Sequence, residues 1–186
     1  MRPTVLKKTN LLGLSPTQLD EFLSNMGESS RRTRQLLRLI HRHGVSRFED
    51  MTEVRGSLRE ALSEVAEIRP PKIISQFDSS DGTRKWIMEV GQGGRVETVF
   101  IPKGDRGTLC VSSQVGCSLD CRFCSTGRQG FQENLTAAEI IGQVWLAIRS
   151  FDGFDAEYRT VTNVVMMGMG EPLLNFKNVV AAMQLM

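Results

Sequence analysis

Residues 108–124 read TLCVSSQVGCSLDCRFC and contain the chain's four cysteines, which are Cys110, Cys117, Cys121 and Cys124. The pattern from Thr108 to Ser113 predicts a strand that leads directly into the cysteines. The last three cysteines are separated by three and then two residues, which places three thiols on one short loop. Three thiolates can hold part of a cubane iron–sulfur cluster and leave one iron open, whereas structural zinc takes four ligands. The spacing therefore favours an open iron–sulfur site.

Two other interpretations of the cysteines remain open. A disulfide framework is disfavoured because 186 residues need no such stapling and no secretory signal opens the chain. A zinc knot could use Cys110 as its fourth ligand. Its spacing is not that of paired zinc knuckles, and the two histidines, His41 and His43, lie far upstream.

Composition and charge are those of an ordinary globular protein. Hydrophobic residues make up 40% of the chain, charged residues 24%, and the net charge is +2. No apolar run approaches the roughly 20 residues that a bilayer-spanning helix needs, so we expect no membrane association. Reduced cysteines predict a cytoplasmic protein.

The distribution of charge is more informative than its sum, because the stretch from Arg31 to Phe48 contains no acidic residue. Four of its arginines would share one face of a helix: Arg31, Arg34, Arg38 and Arg42. A one-sided basic helix is typical of surfaces that bind a phosphate backbone. The alternative is a solvated helix whose arginines pair with nearby acids, namely Glu28, Glu49 and Asp50.

The amino-terminal third of the chain has helical patterns, and we assign residues 1–70 to a helical accessory domain. Ser15 and Gln18 flank a proline and predict a capped helix start. Another helix is predicted from Ser57 to Glu67, before Pro70-Pro71 breaks the pattern.

Beyond Pro71 the apolar pattern changes to the two-residue period of strands. Strands are predicted over Lys72–Phe77, Arg84–Val90 and Arg95–Ile101, with glycine-containing turns between them. Residues 71–106 are therefore expected to form antiparallel strands that lead into the next part of the fold.

Residues 107–186 alternate between strand and helix signals. Thr136 caps a predicted helix that runs to Ser150. Asn163–Met167 is a continuous apolar run, typical of a strand buried in a parallel sheet, and a further helix begins near Asn175. This repeat is the unit of a parallel α/β barrel, whose functional residues lie on the loops after the strands. The predicted fold class is thus α/β, with a small helical domain followed by a partial barrel of about two βα units.

The second strand of this barrel ends in Gly168-Met169-Gly170-Glu171-Pro172, which we call the Gly-Glu turn. A glutamate at this end of a barrel strand can accept hydrogen bonds from a cofactor ammonium group, and the glycines allow a ligand to approach closely. Such a turn is a weak signal alone. Its place one βα unit after the cysteine loop favours a shared site.

These motifs resemble those of the radical S-adenosylmethionine (SAM) enzymes. More narrowly, they are similar to the bacterial dual-specificity enzymes that methylate carbon 2 of adenine in 23S ribosomal RNA and transfer RNA. The resemblance is carried by VSSQVGC at 111–117, FCSTG at 123–127 and NVVMMGMGEP at 163–172. It implies a radical SAM barrel over residues 107–186 and supports RNA binding by the helical domain.

The resemblance also implies roles for single residues in binding cofactors. Cys117, Cys121 and Cys124 would ligate one [4Fe–4S] cluster. Gly170 and Glu171 would help to hold SAM, whose amino and carboxylate groups would bind the open iron.

Two more residues receive roles in the reaction from the resemblance. Cys110 matches a second active-site cysteine, which forms a transient disulfide with a methyl-carrying cysteine. Glu97 matches a position assigned as the proton acceptor; without the resemblance, it is best interpreted as a carboxylate on a strand surface. In the family's reaction a SAM-derived radical activates the methylated cysteine, which then adds to adenine carbon 2.

The methyl-carrying cysteine has no counterpart here, and the chain stops at Met186 within a helical pattern. We therefore expect an incomplete portion of the enzyme that is inactive alone and has exposed barrel edges. The expected partners are 23S rRNA, tRNA and an electron donor such as flavodoxin, and we expect a monomer. Three alternatives remain: an adenine carbon 8 methyltransferase of the same family, another radical enzyme such as a methylthiotransferase, and a non-catalytic RNA-binding module with a structural metal site.

Overall fold

A computed structural model of the chain describes residues 8–119, 121–151, 153–154 and 159–186. Its amino-terminal part is helical, as predicted. The helices are α1 (Pro16–Asn25), α2 (Ser30–Leu37) and α3 (Gly56–Val65), with a π-helical turn over Arg38–Arg42 that continues α2 and 3-10 turns over Leu11–Gly13 and Phe48–Asp50. None of the described helices is long and apolar enough to cross a bilayer.

The start of α1 follows from its local sequence. Gln18 N donates a hydrogen bond to Ser15 Oγ, and Ser15 N donates one to the Gln18 side chain. Pro16 occupies the first turn, where its missing N–H costs nothing. The predicted capping box is therefore confirmed.

A small parallel sheet joins the two ends of the helical region. It consists of β1 (Thr9–Asn10) and β2 (Ala66–Glu67). Because Ala66 and Glu67 are extended in this pairing, α3 ends at Val65 rather than at the predicted Glu67.

Four antiparallel strands follow the helical region. They are β3 (Lys72–Asp78), β4 (Arg84–Val90), β5 (Gly94–Lys103) and β6 (Arg106–Cys110). The predicted strands in residues 71–106 thus form, and β6, which the prediction placed with the barrel, pairs with β5 in the same sheet. A separate antiparallel pair consists of β7 (Gln114–Val115) and β8 (Glu133–Asn134), which lie before and after the loop with the last three cysteines.

The βα repeat is also observed. Helix α4 (Ala137–Ser150) leads to β9 (Asn163–Val165), which pairs in parallel with β6 and completes the sheet order β3-β4-β5-β6-β9. A 3-10 turn over Pro172–Asn175 then opens α5 (Phe176–Met183). The predicted cap of α4 is confirmed, because Thr136 and Glu139 form a second capping box.

One strand prediction is wrong in extent and burial. Asn163–Met167 was expected to be a fully buried strand, but β9 ends at Val165, and Met167 is 80% exposed. In the described part of the chain β9 has a neighbour, β6, on one side only, so it is an edge strand. The predicted Thr108–Ser113 strand is likewise shorter, since β6 ends at Cys110.

Helix α4 is buried on most of its sides because both parts of the chain pack against it. Gly13 lies so close that an added Cβ would be 2.3 Å from Ala138 N, and a Cβ on Gly142 would be 2.3 Å from Pro71 Cδ. Trp145 Nε1 donates a hydrogen bond of 3.0 Å to Ile40 O in the π-helical turn. An all-round apolar helix is expected at such a central position.

Candidate functional site

The sheet brings two of the predicted reaction residues, Glu97 and Cys110, to the same face. Val99 on β5 is paired with Cys110 on β6, and directly paired residues point to the same side of a sheet. Glu97 is two residues before Val99, so it shares that side. The intervening Thr98 is fully buried and points to the opposite face, where it contacts α4 through Gln143.

Glu97 itself is exposed and paired with a lysine. Its Oε1 atom lies 3.3 Å from Lys85 Nζ, and that ammonium group lies 5.5 Å from the centre of the Phe77 ring. These contacts fit the interpretation of Glu97 as a strand-surface carboxylate. The role of Glu97 as a proton acceptor stays a prediction.

Cys110 ends β6 and is half-buried. Burial raises the pKa of its thiol, and a hydrogen bond from the backbone of Met167 opposes that shift. Because a higher pKa favours the protonated form, Cys110 is a thiol rather than a thiolate near neutral pH.

The loop that carries the other cysteines is closed by backbone hydrogen bonds. Cys117 N donates to Gly130 O at 3.3 Å, and Cys124 N donates to Cys121 O at 2.9 Å. Gly116 has φ +71°, and a Cβ at this position would lie 1.8 Å from Gly130 O. Only glycine therefore allows the loop to close at this point.

Nearby backbone N–H groups stabilise the negative charge of cysteine thiolates within this loop. Hydrogen bonds from the backbone of Gly127 and then Thr126 lower the pKa of the Cys124 thiol. Leu119 N donates to Cys117 Sγ at 3.4 Å. Thiolates are the form of cysteine that binds soft metals and iron–sulfur clusters, so the donor chemistry fits such a group.

All four cysteines are free thiols, which excludes a disulfide framework among them and gives no support to the disulfide expected for Cys110. The structure places Cys117, Cys121 and Cys124 on one half-buried loop. It does not gather them into a ready-made site: within the described ranges, no three His, Cys, Asp or Glu side chains are arranged to hold a metal ion. The ligand set fits by chemistry and sequence position, and its assignment stays a prediction.

The Gly-Glu turn packs directly on the segment between Cys110 and Cys117. Gly170 has φ +96°, and an added Cβ would lie 2.5 Å from Gln114 Cβ. Glu171 Oε1 accepts a hydrogen bond of 3.0 Å from Leu173 N and so caps the following 3-10 turn. The two predicted cofactor-binding residues are thus held against the cysteine-bearing segment.

Sequence reasoning missed the buried polar side chains that make this contact. Ser112 is fully buried, Gln114 is 1% exposed and Gln143 is fully buried. Asn175 Nδ2 donates to Ser113 O at 2.8 Å and to Leu135 O at 2.7 Å. The available signal was the polar run Ser112-Ser113-Gln114 directly after an apolar strand, which marks polar groups that must find partners in the core.

The basic helix lies apart from the cysteine loop. Arg34, Arg38 and Arg42 line a cavity of about 970 Å³ together with Thr162 and Val164. This cavity adjoins the start of β9, whereas the Gly-Glu turn follows the end of that strand. The cavity is therefore not the predicted cofactor site.

The alternative of a solvated, ion-paired helix holds for part of this surface. Arg47 pairs with Glu49 at 3.4 Å and with Asp50 at 3.8 Å. Arg32 lies 3.9 Å from Glu28, and Arg38 pairs with Glu53. In the part of the chain that the structure describes, the remaining exposed arginines make no ion pair, namely Arg31, Arg34 and Arg42.

Comparison with known proteins finds similarity to RNA methyltransferases. Residues 9–68 match the family model described as the ribosomal RNA large subunit methyltransferase N-terminal domain. The chain is 60% identical over 97% of its length to "Dual-specificity RNA methyltransferase RlmN" of Marinobacter nauticus, covering 49% of that protein. It is 61% identical over 98% of its length to the protein of the same name from Marinomonas sp., covering 50% of it.

A solved structure is similar as well. The crystal structure of a radical SAM methyltransferase from Sphaerobacter thermophilus superimposes with a TM-score of 0.84 at 35% identity, over 95% of this chain and 51% of that one. The chain therefore spans about half the length of the relatives it matches.

Proposed function

Because this sequence corresponds over nearly its whole length to the half of the dual-specificity RNA methyltransferases that begins with their amino-terminal domain, we propose that it forms the cofactor-binding half of such an enzyme. The proposed reaction methylates carbon 2 of an adenine in 23S ribosomal RNA and transfer RNA. One observation carries the proposal: at the carboxyl ends of two parallel strands, β6 and β9, the Gly-Glu turn packs on residues 111–114, which lead into the three-cysteine loop.

The cofactors of the proposed enzyme are one [4Fe–4S] cluster and SAM. Cys117, Cys121 and Cys124 would hold the cluster, and their free thiols and the lowered pKa of Cys124 support this role. Gly170 and Glu171 would hold the methionine part of SAM, which the positive φ of Gly170 allows to approach the backbone. When bound, the two cofactors supply the one-electron chemistry that makes a methyl group reactive.

Glu97 and Cys110 are proposed to act on the substrate side of the site. Glu97 would accept the proton that leaves adenine carbon 2, and its exposure on the open face of the sheet supports access to a base. Cys110, as a thiolate, would attack the sulfur of a further cysteine that is linked through its methylene group to adenine carbon 2. A disulfide would form, the sulfur–carbon bond would break, and the released carbon would take up a proton to give the methylated product. Their common face of the sheet supports a shared substrate.

The proposed partners follow from the charge of the helical region. Arg31, Arg34 and Arg42 are exposed and free to contact phosphates of the RNA. The cluster would need an electron donor of the flavodoxin type, and the free thiols fit a reducing cytoplasm. A monomer is the proposed working state.

Anaerobic reconstitution with iron and sulfide tests the cluster. We expect about four irons per chain and loss of iron in Cys117→Ser, Cys121→Ser and Cys124→Ser. Cys110→Ser is the matched control, which should load iron normally. Binding of zinc in preference to iron, or equal loss of iron in Cys110→Ser, would favour a structural metal site instead.

Mass spectrometry of RNA tests the reaction. A strain that lacks the gene should lose 2-methyladenosine from 23S rRNA and tRNA, and the gene extended to the length of its relatives should restore it. Restoration of 8-methyladenosine instead would assign the chain to the carbon 8 methyltransferases.

A further inference from the structure

The Gly-Glu turn is bound to the cysteine-bearing segment by backbone hydrogen bonds, from Gly168 N to Val111 O at 3.0 Å and from Ser113 N to Met169 O at 2.8 Å. Two side chains add further bonds, in which they take the place of strand carbonyls. Met169 N donates a hydrogen bond of 2.9 Å to Ser112 Oγ. Glu171 N donates a hydrogen bond of 2.9 Å to Gln114 Oε1. In an ordinary sheet such N–H groups would meet backbone carbonyls of the neighbouring strand.

The geometry explains why side chains are needed here. With φ +96° at Gly170, the turn leaves the extended conformation, so the backbone bonds between the two segments end at Met169. Ser112 and Gln114 are two residues apart, and their side-chain oxygens accept from two alternate amides of the turn, those of Met169 and Glu171.

Both side chains also reach the other predicted site residues. Ser112 Oγ donates a hydrogen bond of 2.6 Å to the backbone oxygen of Glu97. Gln114 Nε2 lies 2.9 Å from Asn134 Oδ1 and 3.5 Å from Ser118 Oγ, and Ser118 follows Cys117. Two buried residues thus tie the Gly-Glu turn to the Glu97 strand and to the cysteine loop.

The side chain of Gln143 on α4 hydrogen-bonds both backbone polar groups of Ser112. Ser112 N donates to Gln143 Oε1 at 2.8 Å, and Gln143 Nε2 donates to Ser112 O at 2.9 Å. The same Oε1 atom accepts a bond of 2.8 Å from Thr98 Oγ1. A fully satisfied buried network of this kind fixes the orientation of its members.

We propose that Ser112 and Gln114 are positioning residues, which hold the Gly-Glu turn in register with the cysteine loop so that both meet one SAM molecule. The proposal rests on the proposed function for the identity of the ligand. The register itself is a property of the protein without ligand, so the two can be tested separately.

Ser112→Ala and Gln114→Met remove the two acceptors and keep similar side-chain volumes. Thr98→Val is the matched control, since it also deletes a fully buried hydroxyl from the Gln143 network but leaves both acceptors of the turn in place. All three should lower the melting temperature, because each leaves a buried polar group without a partner.

Two measurements distinguish positioning from general destabilisation. Hydrogen–deuterium exchange of the Met169 and Glu171 amides should accelerate by about tenfold or more in Ser112→Ala and Gln114→Met, respectively, and stay unchanged in Thr98→Val. In reconstituted protein of unchanged iron content, the Kd for SAM should rise about tenfold in the first two variants alone.

Equal changes in Thr98→Val, or unchanged exchange in Ser112→Ala and Gln114→Met, would overturn the positioning role. Failure of the unsubstituted, iron-loaded protein to bind SAM would instead count against the proposed function, while the exchange data would still decide whether the two residues hold the turn.

Discussion

At the scale of single residues, closure of the cysteine loop requires a residue without a side chain at position 116. Gly116 and Gly130 both have φ +71°, and Gly130 has ψ +166°, a conformation almost restricted to glycine, so a substitution at either position strains the backbone. Their surroundings differ, because a Cβ at Gly116 would lie 1.8 Å from Gly130 O while a Cβ at Gly130 meets nothing within 4 Å. The pair therefore separates backbone strain from loop closure.

Gly116→Ala should open the cysteine loop and abolish most iron loading. Gly130→Ala should cost only the backbone penalty of about 1–3 kcal/mol and still load iron. Iron content after reconstitution and the free energy of unfolding in urea measure the two effects. Equal iron loading in both variants would show that the contact between Gly116 and Gly130 does not govern the loop.

At the scale of elements, the π-helical turn after α2 departs from the regular basic helix that the sequence predicts. The wider turn directs Ile40 O to the indole of Trp145 and half-buries His41 beside the arginine-lined cavity. His41 Nε2 is buried without a hydrogen-bond partner in the described structure. Burial lowers the pKa of His41 from 6.5 to about 4, because the charged form loses hydration.

This shift makes stability depend on pH. Above pH 6.5 His41 is neutral in the folded and the unfolded chain, so its titration does not lower the free energy of unfolding. As the pH falls from 6.5 to about 4, the unfolded chain takes up a proton that the folded chain does not. The free energy of unfolding should therefore fall over this range, by up to about 3 kcal/mol.

Urea unfolding across this pH range tests the assignment. His41→Phe should flatten the fall, since its ring cannot take a proton. A slope that persists in His41→Phe would assign the pH dependence to other groups.

The features of helices and strands that the sequence predicts are those that depend on residues close together in the chain. The capping boxes at Ser15 and Thr136 were predictable because both partners lie within one turn of sequence. The strand–helix–strand order was predictable from apolar period, and the cysteine and Gly-Glu motifs from residue type and spacing.

The rest depends on contacts between distant residues. Among the described residues β9 pairs with β6 alone, and the π-helical turn contacts the indole of Trp145, 105 residues from Ile40. The bonds from Ser112 and Gln114 to the Gly-Glu turn join residues 57 positions apart. No local pattern specifies such partners.

At the scale of the whole molecule, α4 is the element on which the helical region and the sheet meet. Trp145 is 3% exposed and bonds to the helical region, whereas Trp86 is fully buried in the sheet and bonds to Gln76 Oε1 at 3.0 Å. The two indoles are alike in burial and bonding. They differ in which parts of the molecule they join.

Trp145→Phe should lower the free energy of unfolding by about 1–3 kcal/mol, because it leaves the buried Ile40 O without a donor. Trp86→Phe removes the same ring volume from the sheet, but Gln76 is exposed and its oxygen can accept a hydrogen bond from water instead. Only Trp145→Phe should loosen the helical region from α4. Hydrogen–deuterium exchange of the Arg38–Arg42 amides is the measurement, and exchange should accelerate in that variant alone. Equal exchange in the two variants would mean that docking does not depend on the bond to Ile40.

The central position of α4 also sets an order of events during synthesis. The hydrogen bond from Trp145 to Ile40 spans 105 residues, and the bonds from Gln143 to Ser112 span 31. The helical region and the antiparallel strands leave the ribosome before α4 is synthesised. The surfaces that they later pack against α4 are therefore exposed until then. Contacts between residues so far apart form more slowly than a local helix does. We therefore expect the helical region and the sheet to dock on α4 only after α4 has been synthesised.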